Sequence, residues 1–124
     1  MQWLAIAIGG AVGAMGRYAV TAYLFPLASN RFPVGTLTAN VAGSLLMGVL
    51  YVLIIEKGSL PAEARGWLMV GFLGAFTTFS TFALDAVTLW QNGHTAIAFS
   101  YALISVFACI FAVAAGMQFA LKFL

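Results

Sequence analysis

The chain has 124 residues, 64% of them hydrophobic and 6% charged, with a formal net charge of +2 and a mean hydropathy of +1.07. A soluble domain carries roughly 25% charged residues, so this is an all-α integral membrane protein, and its five scattered basic residues form no cluster for a nucleic-acid surface. The single cysteine, Cys109, excludes an internal disulfide and a cysteine-built metal site.

Crossing the hydrocarbon core takes about 20 apolar residues. Four windows qualify, at approximately 3–24, 34–55, 66–90 and 96–121, and together they make one transmembrane domain over 1–124. The N-terminal stretch lacks the positive n-region of a secretory signal and its apolar run outlasts an h-region, so it reads as a retained first span. The connectors "FPLASNRFP", "EKGSLPAEAR" and "QNGHT" are short and rich in turn residues.

In the first span, Gly9 and Gly13 form a small-xxx-small face that lets another helix approach closely. Arg17 lies about 10 Å from the end of that span at ~1.5 Å per residue. It reads either as an anchor snorkelling to the interface or as a fixed positive charge that concentrates an anion. The second span carries Ala39, Gly43, Ser44 and Gly48 on a similar face, and Asn40 at its heart. That amide serves an interhelical hydrogen bond or a ligand, and its two donors suit an anion.

The third span holds "GFLGAFTTFSTF", two glycines and four hydroxyls inside an apolar run. Non-helical backbone at membrane depth survives only where it is buried in protein or lines a wet cavity. A broken helix is the economical reading, with Thr77, Thr78, Ser80 and Thr81 able to satisfy the freed backbone groups. The ends of a broken helix offer carbonyls to a cation and N–H groups to an anion. Phe79 and Phe82 share a helix face as core, or as a pair of positive ring edges for a small anion. Asp85 reads as lying near the start of the resumed helix, where a carboxylate suits the dipole, or as a charge of the vestibule.

In the fourth span Tyr101, Ser105 and Cys109 recur every four residues as a polar stripe. No nucleophile–base pair or metal-ligand spacing can be assembled, and His94 stands alone in a loop, so an enzyme is not expected. With four spans, Lys57, Arg65 and Lys122 share one face, against Arg31, with or without Arg17, on the other. So weak a bias leaves orientation undetermined and makes an antiparallel dimer a natural assembly.

Taken together, "GGAVGAMGRY", "GTLTAN" and "GFLGAFTTFSTF" resemble the Fluc (CrcB) family of small fluoride channels, with length and motif order agreeing over the whole chain. The resemblance implies a passive fluoride-selective channel that exports cytoplasmic fluoride across a bacterial inner membrane. It implies a dual-topology homodimer of antiparallel copies with two pores. The third helix is then broken at mid-membrane, and the crossing breaks hold a structural sodium ion through backbone carbonyls matched by Gly74 and Thr77. Phe79 and Phe82 match the pore rings, Asn40 the pore amide, Arg17 the vestibule charge, and Ser80, Thr81, Tyr101 and Ser105 the hydroxyls of the ion path. Two positions depart from the pattern: Cys109 stands where serine is common, and Asp85 where glutamate is usual. The alternative is a small dual-topology multidrug exporter, which needs a membrane carboxylate in its first helix; this first helix has none. A non-transporting assembly subunit would explain the small-residue faces but not the hydroxyl-rich segment.

Overall fold

The computed structural model describes residues 1–24 and 32–124, all helical apart from short turns. Arg31 and most of the first connector lie outside the described residues, and so does their share of the charge bias. Among the described residues, four helical spans are long and apolar enough to cross a membrane: Gln2–Leu24, Val34–Glu56, Arg65–Gln91 and Thr95–Phe123. Large apolar side chains cover their outer surfaces, among them Trp3, Leu103, Ile110 and Phe111, as lipid-facing helices require.

The first span packs on the N-terminal part of the third, and the second packs on the fourth. Missing side chains make both approaches possible. A Cβ on Gly13 would collide with the backbone of Phe72, and one on Gly48 with the backbone of Val113. By contrast, a Cβ on Gly10 would sit 3.9 Å from the carbonyl of Gly71, an ordinary contact. Gly13→Ala is therefore expected to cost about 1–3 kcal/mol by overpacking. Gly10→Ala is expected to be neutral, or to gain up to ~1 kcal/mol of helix propensity. Unfolding midpoints of the two variants in detergent check this, and equal midpoints would contradict the close approach at Gly13.

The turns are closed by backbone bonds. After Gln91 the N–H of Gly93 donates to Trp90 O and that of His94 to Leu89 O. This pairing is the Schellman arrangement, which needs a left-handed residue, and Gly93 supplies it with φ of 83°. At the other face Lys57 Nζ donates to the carbonyls of Ala120 (3.1 Å) and Leu121 (3.4 Å). A cation here meets the negative end of the fourth helix and fastens the second connector to the C-terminus. The buried cluster of Leu89, Ala98 and Tyr101, with Phe32, Leu37 and Phe82 against it, joins the C-terminal half of the third span to the fourth.

Within the third span, Arg65–Leu73 is wound as a π-helix and runs on through Gly74–Phe76, and the chain is α-helical again over Phe79–Gln91. Between them Thr77 (φ −88°, ψ 158°) and Thr78 (φ −152°, ψ 126°) are extended. Asp85 is the seventh residue of Phe79–Gln91, whose first turn contains no acidic residue. The dipole effect falls off within one turn, so the expected role of Asp85 at a helix start is corrected. Its carboxylate is held by a side chain of the fourth span.

Candidate functional site

The two extended residues of the third span are held by the second. Asn40 Nδ2 donates to Thr78 O (3.0 Å), and Thr78 N–H donates to Asn40 Oδ1 (2.8 Å). The side-chain amide thus replaces a neighbouring backbone for both polar groups of one residue, which membrane burial otherwise makes expensive. Local hydroxyls complete the pairing. Thr78 Oγ1 accepts from Thr81 N–H (3.2 Å) and caps the resumed helix, while Thr77 Oγ1 donates back to Leu73 O (2.9 Å). Arg17 reaches across from the first span, its Nε donating to Ala75 O (3.1 Å).

One consequence falls on the two carbonyls expected to hold a cation. In an unbroken helix Thr78 N–H would serve Gly74 O and Thr81 N–H would serve Thr77 O. Here the first donor is turned to Asn40 and the second to Thr78 Oγ1. Neutral carbonyl oxygens relieved of their helical donors suit a hard monovalent cation, and Gly74 itself is exposed.

Two cavities flank Thr78, and it lines both. The first, about 250 Å³, is walled by Arg17, Thr21, Thr36, Thr81 and Asp85. It places a guanidinium and a carboxylate among hydroxyls. The second, about 360 Å³, is mostly apolar; Asn40, Thr77, Phe79, Phe82, Ser105 and Cys109 are on its wall. The rings of Phe79 and Phe82 are 5.4 Å apart at an interplanar angle of 60°. Phe79 is 77% exposed, an unusual position for a ring serving only as core.

The structure therefore brings Arg17 and Thr81 to the polar cavity, and Asn40, Phe79, Phe82 and Ser105 to the apolar one. Tyr101 is fully buried against Phe82 (5.2 Å between ring centroids), and its hydroxyl donates to Asp85 Oδ2 (3.1 Å). Ser80 is exposed, with its hydroxyl 3.5 Å from that of Thr78. Ser105 is 5% exposed, and its hydroxyl has no partner among the described residues. Sequence reasoning passed over Thr36, buried on the polar cavity. The signal was present: Thr36, Asn40 and Ser44 follow one another at four-residue spacing, the same pattern that marks the stripe of the fourth span.

Four apolar spans with a polar seam between them define a small multi-pass membrane protein. The profile of the family described as "CrcB-like protein, Camphor Resistance (CrcB)" matches residues 4–117, and the chain belongs to that family. Among curated relatives, a protein of Saccharophagus degradans is 55% identical over 111 residues, covering 90% of this chain and 83% of its own. One of Hahella chejuensis is 46% identical over 112 residues, covering 90% and 88%. One of Pseudomonas fluorescens is 42% identical over 115 residues, covering 93% of each. All three bear the name "Fluoride-specific ion channel FluC".

Proposed function

We propose that this chain forms a passive fluoride-selective channel that drains cytoplasmic fluoride through a bacterial inner membrane. The observation that carries the reading is the name of relatives 46–55% identical over nine tenths of the chain. The channel is a homodimer of antiparallel copies enclosing two pores, with the third helix of each broken at mid-membrane. The exposed ring of Phe79, beside a cavity open on one side, supports a second copy as the missing wall.

Fluoride holds its hydration shell tightly, so a path for it must offer many close donors without binding too strongly for the ion to leave. Among the described residues Arg17 donates through Nε to Ala75 O and no bond occupies its Nη atoms; the guanidinium attracts the anion into the polar cavity. Thr81 and Ser80 pass it along the capped turn. An amide nitrogen carries two hydrogens; Asn40 commits one to Thr78 O and offers the other. Ser105 contributes its hydroxyl, unpaired among the described residues, and Phe79 and Phe82 their positive edges. Tyr101 acts from behind, through Asp85 and the position of Phe82.

The carbonyls of Gly74 and Thr77 are the groups that would hold a structural sodium ion between the copies, and their diverted helical donors support this. Sodium bound there supplies a fixed positive charge and a tie between subunits.

The test is ion release from liposomes containing the purified protein, with valinomycin present and fluoride and chloride followed in parallel. Rapid fluoride release with chloride retained is expected. Retention of fluoride by a folded, dimeric protein would falsify the channel reading.

A further inference from the structure

The resumed half of the third span carries a polar stripe of its own. Thr81, Asp85, Thr88 and Asn92 are spaced four, three and four residues apart, so they fall within about 60° of one helix face. The stripe rises ~16 Å from the capped turn to the helix end, and a carboxylate and an amide in such a row belong against protein or water. Two cavities lie along it in series. The one of about 250 Å³ has Thr81 and Asp85 on its wall. A further one, of about 180 Å³, is bounded by Asp85, Thr88, Asn92 and His94, and Pro33 and Asp85 stand on the walls of both. Thr88 and Asn92 are exposed, and His94 is folded back against the helix end by its N–H bond to Leu89 O (2.8 Å).

We propose that this face is the wet approach to the polar cavity: fluoride passes between the membrane surface and Arg17 along Thr88, with Asn92 and His94 at the mouth. The proposal rests on the channel reading above. The Thr88 hydroxyl, the Asn92 amide and an imidazole N–H are all donors, and donors are what an anion leaving bulk water must meet. Asp85 does not close the way, because its carboxylate accepts from the Tyr101 hydroxyl and shares the polar cavity with the Arg17 guanidinium. A wet mouth acts through its potential, since charge there sets the local concentration of the ion. Asn92 takes φ of −87° and ψ of 12°, a conformation open to any side chain, so charge can be placed at it without strain. Gln91 is exposed at nearly the same depth but lies about 100° round the helix, off the stripe.

The test is the initial rate of fluoride release from liposomes holding the intact protein, at low and high concentrations of an impermeant salt, with melting curves alongside. At low salt Asn92→Asp should slow release about threefold and Asn92→Lys should speed it about threefold, as one charge acting across roughly 6 Å of water would do. Both rates should converge on that of the parent as the screening length falls from ~30 Å at about 0.01 M to ~3 Å at about 1 M. The same charges at Gln91 should move the rate distinctly less. Thr88→Val keeps the shape and removes the hydroxyl, and should slow release about threefold at either salt concentration, the effect of one lost hydrogen bond, with the unfolding midpoint unchanged. If Thr88→Val proves unstable, the variants at Asn92, which leave Thr88 in place, decide. Release indifferent to charge at Asn92, or shifted equally by charge at Gln91, overturns the proposal, as does undiminished release by a stable Thr88→Val protein. If the unsubstituted protein releases no fluoride, the channel reading fails and takes the approach with it. A conducting protein indifferent to these changes loses the approach alone.

Discussion

Asn40→Asp is expected to stop fluoride release while leaving a folded protein. The two side chains are nearly the same shape, and a carboxylate still accepts from Thr78 N–H at the place where Oδ1 accepts now. What changes is the second oxygen. It cannot donate to Thr78 O, as Nδ2 does, nor can it offer a hydrogen to an anion. It also brings a negative charge to the wall of the cavity. Two like charges 4 Å apart at an effective dielectric of about 20 repel by roughly 4 kcal/mol. Such a penalty in the barrier slows passage on the order of a thousandfold. Asn40→Ala separates charge from structure: it leaves both Thr78 backbone groups without their partner, at about 1–3 kcal/mol. Its unfolding midpoint should therefore drop while its release rate falls less. Initial release rates and melting curves of both variants check this, and normal release by Asn40→Asp would remove residue 40 from the path.

The four spans were legible because hydropathy needs no partner: a run of about 20 apolar residues has one stable environment. The small-residue faces were legible too, but not what they face. Gly13 meets the backbone of Phe72 and Gly48 that of Val113, pairings that depend on which spans become neighbours. The third span was recognisable as poor helix from its glycines and hydroxyls, whereas the clamp on it was not. An asparagine reads the same in a sequence whether it bonds a side chain, an ion or, as here, the N–H and C=O of one residue 38 positions away. One of the two readings of Asp85, the helix-start one, failed for a related reason, while the carboxylate does line the polar cavity with Arg17. Asp85 was placed near a helix start, but the resumed helix begins at Phe79, six residues earlier, and the carboxylate accepts from Tyr101. Ser105 was placed on a polar stripe by spacing alone, and only the three-dimensional packing shows its hydroxyl buried without a partner among the described residues.

Phe79→Ile should cut fluoride release about tenfold or more, a barrier increase of ~1.4 kcal/mol, without lowering stability. The separation of the two effects follows from exposure. At 77% exposed, the ring contributes little to the core of its own chain, so trimming it removes little buried apolar area. Isoleucine is comparable in bulk but has no positive ring edge, so it walls the cavity without attracting an anion. Phe82 differs, because it packs on Tyr101 as well as on Phe79 and belongs to the cluster with Leu89 and Ala98. Phe82→Ile should therefore lower both release and the unfolding midpoint, since loss of an aromatic contact adds about 0.5–1.5 kcal/mol to the loss of area. Release rates, melting curves and elution profiles measured on the two variants together decide the matter. A Phe79→Ile protein that elutes as the parent does and releases fluoride undiminished would take that ring out of the pore. The same protein eluting as a smaller species would instead place the exposed face of Phe79 in the contact between copies.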